Sequence, residues 1–231
     1  MKNFIALSGL PRTGSTLLTS ILFQNPEIHT EGHSALVQLM WDMKMSCEGS
    51  ASSWLISSYR QDVQHGLLSA MPEIFYGNTK AKNVFDKNTC WTIPENIQMI
   101  KDYIRPDPKV IVMLRSVEEI IESFIRVRKA SGWQDNLDYG LTEENYEILG
   151  KPLSGIDYAM ENNNGEFIFN EYDDLVDSTT DVLKSIYNFC EIDYFEHDLN
   201  NIENKNPEND AYLDMIGLHD IRKTISRRGE E

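Results

Sequence analysis

The stretch KNFIALSGLPRTGSTLLTSILFQ, residues 2–24, carries three local structures in a row. Its first seven residues form a short, nearly continuous apolar run, which suits a strand buried on both faces. Gly9 and Pro11 break that run, and Leu17, Leu18, Ile21 and Leu22 then recur at helical spacing. Strand, glycine-bearing loop and helix in that order aim backbone N–H groups and the positive end of a helix dipole at one point, which suits a phosphate.

Beyond this stretch, apolar segments at 27–30, 83–86, 109–114 and 166–169 read as further strands. Residues 34–45, 53–70, 93–104, a segment starting near Val117, and 178–190 read as helices. KVIVML, residues 109–114, has the composition of a strand in the middle of a parallel sheet. The alternation predicts an α/β fold of three layers, α/β/α, with a mostly parallel central sheet and with ligands beyond the carboxyl ends of its strands. The 231 residues fit one domain, with 131–155 expected to be a mobile insertion and residues from 193 onward irregular.

Composition excludes several classes. A net charge of −16 repels nucleic acid and anionic membranes, and no apolar run approaches the roughly 18 residues needed to span a bilayer. Cys47, Cys90 and Cys190 are odd in number and lack metal-ligand spacing, which predicts reduced thiols in a cytoplasmic protein. Such an acidic chain can hold an anionic ligand only where cations and backbone amides concentrate locally.

The loop itself, Gly9 to Thr16, follows the glycine spacing of the nucleoside-triphosphate loop G-x-x-x-x-G-K-[ST] but carries Ser15 where that loop has its lysine. An ordinary kinase or ATPase is therefore disfavoured. Arg12 remains as the loop's cation, together with the hydroxyls of Thr13, Ser15 and Thr16, a set suited to one phosphate joined to a further anionic group.

Pro11 to Leu18 resembles the loop P-[KR]-[ST]-G-[ST]-T-x-L of the sulfotransferase superfamily, whose fold is similar to that of the P-loop NTPases. The resemblance implies that Pro11, Arg12, Thr13, Gly14, Ser15 and Thr16 hold the 5′-phosphosulfate of 3′-phosphoadenosine 5′-phosphosulfate (PAPS), with Arg12 stabilising the leaving phosphate. The family's second signature is an arginine at a strand end and a serine eight residues later. Arg115 and Ser123 match it after KVIVML, which implies contact with the 3′-phosphate.

Asp86-Lys87-Asn88-Thr89 is similar to the segment of protein-tyrosine sulfotransferases that carries a catalytic lysine, implying that Lys87 contacts the transferring sulfuryl group. In those enzymes a glutamate base follows the first helix. An ungapped match puts His33 there, with Glu31 two positions earlier, and cytosolic members use a histidine. A histidine titrates near neutrality and needs little tuning, whereas a glutamate must be desolvated or tied to cations, so both stay as candidates. Tyr172, in NEYDDL, resembles the tyrosine of a Y-E-D-L segment near the donor nucleotide. Arg222, Lys223, Arg227 and Arg228 form a basic cluster where relatives close a loop over the nucleotide, although the R-K-G-x-x-G-D-W signature of cytosolic members is missing.

The expected reaction is transfer of a sulfuryl group from PAPS to a hydroxyl or amine acceptor of unspecified class, releasing adenosine 3′,5′-bisphosphate (PAP) without a metal. Two alternatives stand beside it: a P-loop nucleotide or small-molecule kinase, and a non-catalytic nucleotide-binding protein of the same fold.

Overall fold

A computed structural model describes residues 2–49, 53, 54, 56, 60–133 and 149–225. Its sheet holds five strands, β1 (Asn3–Gly9), β2 (Ile28–Thr30), β3 (Asn83–Lys87), β4 (Val110–Leu114) and β5 (Phe167–Glu171), in the order β2-β3-β1-β4-β5. Every pairing is parallel. The sequence pattern led us to expect a mostly parallel sheet, and among the described residues it is wholly so.

Side chains alternate across this sheet with period two. Phe4, Ala6, Val84, Val110 and Val112 face one apolar cluster, while Ile5, Leu7, Phe85, Ile111 and Met113 face the other. The first cluster is covered by α2 (Leu36–Gly49), α3 (Gln61–Phe75), α4 (Pro94–Tyr103), α5 (Val117–Ala130) and α6 (Lys151–Glu161). The second is covered by α1 (Ser15–Leu22), α7 (Tyr172–Asp177) and α8 (Thr179–Cys190). Burial on both faces explains why β4 reads as continuous apolar sequence, each such side chain contributing about 1.5–3 kcal/mol.

Three boundaries read from the sequence are moved. The helix expected over 53–70 is interrupted by Arg60, whose φ of −141° is not helical, and α3 starts only at Gln61 and runs to Phe75. The expected insertion at 131–155 ends inside the folded body, because α6 starts at Lys151. A Cβ on Gly155 would stand 2.7 Å from Thr92 Oγ1, so this helix packs directly on the segment after β3. The rest of that insertion, residues 134–148, lies outside the described residues, as do Arg227 and Arg228. Lys87, expected just beyond a strand over 83–86, is instead the last residue of β3 and is buried.

Helix α5 shows how local chemistry sets an element that the site needs. The Ser116 hydroxyl caps it by accepting the Glu119 N–H at 3.3 Å, Glu118 and Glu119 sit in its first turn, and Arg128 and Lys129 sit in its last. Its buried face carries Ile120, Phe124 and Val127 with Ser123 among them. Among the described residues no helix is long and apolar enough to cross a membrane.

Candidate active site

The carboxyl ends of β1, β3 and β4 converge on the loop between β1 and α1. Two glycines shape that loop. Gly9, at φ 138°, lets the chain pass so close to β4 that a Cβ would overlap the Met113 carbonyl oxygen. Gly14, at φ 83°, caps α1, and a Cβ there would stand 2.6 Å from the Tyr172 ring. Arg12 also takes a positive φ, 70°, which a residue with a Cβ rarely adopts. Buried Thr13 donates to the Leu10 carbonyl at 2.8 Å and so closes the turn. The first turn of α1 carries no acidic residue, leaving its positive dipole end and its first N–H groups directed at the cradle formed with Ser15 and Thr16.

Lys87 reaches the loop from β3. Its Nζ donates to Thr16 Oγ1 at 3.1 Å and to Glu208 Oε1 at 2.9 Å. Burial pushes the lysine pKa down, and the adjacent Glu208 carboxylate opposes that shift. The cation absent from position 15 is thus present in space, delivered by a different strand.

Behind Lys87, Asp86 is fully buried and accepts three hydrogen bonds: from Ser34 Oγ at 2.7 Å, Tyr76 Oη at 2.5 Å and Trp91 Nε1 at 2.6 Å. Burial raises its pKa, and those donors work against the rise. The hub fixes Ser34 and hence the chain at His33. The Asn88 amide is oriented by accepting the Cys90 N–H at 2.9 Å and donating to the Ser34 carbonyl at 2.8 Å. Its Nδ2 then also donates to His33 Nε2 at 3.0 Å, which puts the imidazole proton on Nδ1. Desolvation lowers the His33 pKa, with Lys87 and His219 reinforcing the shift and Glu208 opposing it.

Glu31 is turned elsewhere. Its Oε1 lies 3.1 Å from His29 Nε2, in a separate surface cleft with Thr19 and Asn206. Of the two residues, His33 is thus the one that the fold sets among the charges around Lys87.

Arg12, Arg115 and Ser123 meet as a second polar group. Arg12 Nε donates to the buried Ser123 Oγ at 3.0 Å, and Arg115 Nη1 donates to the Arg12 carbonyl at 3.1 Å. The Arg115 guanidinium stacks 4.0 Å above the Tyr172 ring, with its Nε 3.3 Å from Glu119 Oε2. Arg12 Nη1 also donates to the Leu218 carbonyl. Pro11 sits half-buried at the loop's start.

Sequence reasoning missed the C-terminal contribution. Glu208, Asp210, Leu218 and His219 all come from the segment read only as irregular and acid-rich, and no spacing rule links them to a loop some two hundred residues earlier. Arg222 and Lys223 lie further along the same segment. The Lys223 carbonyl accepts the Ile202 N–H at 2.8 Å, and its side chain borders a cleft shared with Glu208 and His219. A larger cavity of about 520 Å³, bordered by Lys2, Phe4, Tyr76 and Val84, opens at the opposite end of the strands.

Fold and site define a class: an α/β protein with an anion cradle between strand and helix, served by arginines and a strand-borne lysine in place of a loop lysine. Residues 5–196 match the model of the Sulfotransferase family, and the chain belongs to that family. Three solved structures share the fold. The sulfotransferase domain of the Synechococcus PCC 7002 olefin synthase has a TM-score of 0.62 and 20% identity, covering 97% of this chain and 85% of that one. A sulfotransferase from Alicyclobacillus acidocaldarius has a TM-score of 0.57 and 12% identity, covering 86% and 84%. One from Mycobacterium tuberculosis H37Rv has a TM-score of 0.53 and 17% identity, covering 93% and 71%. No curated protein sequence matches the chain.

Proposed function

We propose that the protein transfers a sulfuryl group from PAPS to a hydroxyl or amine acceptor. The observation that carries this reading is the convergence of Arg115 and Ser123, from the end of β4 and from α5, on Arg12 of the loop. A 5′-phosphosulfate fits the cradle of loop amides and the hydroxyls of Ser15 and Thr16. The 3′-phosphate fits Arg115 and Ser123, with Tyr172 holding the Arg115 plane in place. Arg222 and Lys223 lie on the same segment as Leu218, whose carbonyl accepts from Arg12.

Lys87 then offers an N–H to the transferring group, while Arg12 offsets charge that develops on the departing phosphate. Transfer needs in-line placement and a proton acceptor for the attacking group, and no step of the scheme draws on a metal. The acceptor class stays open; nucleic acid and membrane surfaces are disfavoured by the charge of −16. We place the protein in the cytoplasm on the strength of its three free cysteines.

PAP is expected to raise the melting temperature in the absence of Mg²⁺, and by more than ATP with Mg²⁺ does. The reverse ranking would favour a P-loop kinase and sink this reading. PAP binding without PAPS turnover on any acceptor would mark a non-catalytic nucleotide-binding protein.

A further inference from the structure

Sulfuryl transfer, on which this inference rests, requires a base beside Lys87. Neither residue that the sequence offers presents an open basic atom there: Glu31 pairs with His29, and the His33 Nε2 lone pair receives the Asn88 amide. A carboxylate does lie in contact with Lys87. Glu208 Oε1 accepts from Lys87 Nζ at 2.9 Å, from 121 positions further along the chain. Its approach depends on Gly32, where a Cβ would overlap the Glu208 side chain.

The same carboxylate begins a chain of contacts. Glu208 Oε2 lies 3.0 Å from His219 Nε2, and His219 Nδ1 lies 2.5 Å from Asp210 Oδ1. Asp210 Oδ2 also accepts the His219 backbone N–H at 3.0 Å, fixing the ring's position. A cleft of about 340 Å³ opens onto this group, bordered by Pro207, Glu208, Asp210, His219, Ile221 and Lys223.

We infer that Glu208 is the proton acceptor of the reaction, with His219 and Asp210 relaying the proton outward, and that the acceptor molecule enters through this cleft. Among the described residues Lys87 donates to Thr16 and Glu208, which leaves its third N–H for a sulfuryl oxygen. Glu208 and the sulfuryl group then share one nitrogen as neighbour. In the step, the acceptor O–H or N–H bond breaks and its proton passes to Glu208. The acceptor atom bonds to sulfur, and the bond from sulfur to the bridging oxygen breaks, its electron pair staying on the 5′-phosphate of PAP. Neutralising Glu208 uncovers the Lys87 charge as the leaving phosphate becomes more negative.

Glu208→Gln tests this, because glutamine keeps an acceptor for Lys87 and a donor for His219 while losing the basic carboxylate. PAP affinity is measured by calorimetry. PAP release from labelled PAPS is measured with water as acceptor, then with a panel of alcohols, phenols and amines. The expected result is PAP affinity within about threefold of wild type and turnover reduced about 100-fold or more, the range of a lost general base. His219→Asn is expected to lower turnover less and to displace the pH profile. A Glu208→Gln protein that turns over as fast as wild type or faster, or that binds PAP much more tightly, overturns the assignment and makes Glu208 a plug over the donor site. A larger loss in His33→Ala than in Glu208→Gln overturns it too, as does a wild-type protein that binds PAP but releases none from PAPS. Failure of the wild type to bind PAP rejects the sulfotransferase reading itself, a result separable from all of these.

Discussion

Arg12 Nε donates to Ser123 Oγ at 3.0 Å, joining the loop after the first strand to a helix 111 positions later. Because Arg115 also holds the Arg12 carbonyl, a change at any of the three alters the shape of the whole cation cluster. A hydrogen bond to a charged group contributes about 1.5–3 kcal/mol, so losing the one proposed from Ser123 to the 3′-phosphate is equivalent to about 10–100-fold in binding. Ser123→Ala is therefore expected to weaken PAP binding at least tenfold in calorimetry. Arg115→Ala, which also loses the stack on Tyr172, should abolish most of the PAP-induced rise in melting temperature. Unchanged PAP affinity in Ser123→Ala would remove that serine from the nucleotide site.

Gly14 and Tyr172 give a second test, one of backbone rather than charge. A methyl group at position 14 meets the Tyr172 ring at 2.6 Å and must also adopt a φ of 83°. The strain belongs to the range of about 1–3 kcal/mol for a residue forced into the left-handed region, with the overlap adding to it. Gly14→Ala should lower the melting temperature by several degrees, and Tyr172→Ala in the same chain should recover only the steric part. Full recovery in the double variant would show that φ at position 14 carries no strain.

These contacts also show which features were legible in the sequence. The residues that shape the anion cradle were readable because its chemistry is local: a strand, two glycines, hydroxyls and a helix start lie within one short stretch. Arg115 and Ser123 were readable because a buried strand announces itself by continuous apolar residues and so fixes the position of the arginine at its end and of the helix beyond. Lys87 was found as a residue but misplaced by one structural step, since a lysine inside a parallel strand contradicts ordinary burial preferences and is tolerated here by its contacts with Thr16 and Glu208. Glu208, His219 and Leu218 were not legible at all. They reach the loop and Lys87 through tertiary return of an irregular segment, which has neither periodicity nor spacing to mark it. Helix α6 was hidden for a related reason: Gly155 lowers helix propensity, but close packing on Thr92 requires it.

Asp86 is expected to control stability and the shape of the site together. Asp86→Ala leaves the buried Ser34, Tyr76 and Trp91 donors without their shared acceptor. At about 1–3 kcal/mol for each stranded group, and about 2–4 °C per kcal/mol in a chain of this size, the melting temperature should fall by at least about 6 °C. Trp91→Phe removes one of the three donors while keeping the carboxylate paired, so its loss should reflect the indole's packing and one bond. Equal melting temperatures for Asp86→Ala and wild type would mean that the hub contributes nothing to the fold.

A last prediction concerns pH and the segment that carries Glu208. Asn25 Nδ2 donates to Tyr187 Oη at 3.1 Å, and the same hydroxyl lies 3.0 Å from His197 Nε2. Burial pushes the Tyr187 pKa up to about 12 and lowers that of His197, with the Ile21 carbonyl and Glu196 opposing the latter. A histidine whose folded pKa lies below its unfolded value of 6.5 leaves the native state binding fewer protons than the unfolded chain. Its contribution is therefore present above about pH 6.5 and is lost as pH falls through the lowered folded value. His33 shifts in the same direction, so the two add. Urea melts of wild type should show stability falling from pH 7.5 to pH 5, and His197→Gln, which does not titrate there, should show a shallower fall. Parallel curves for the two proteins would mean that His197 takes up its proton alike in the folded and unfolded chain, so that its neutral form adds nothing to anchoring the chain that leads from α8 toward Glu208.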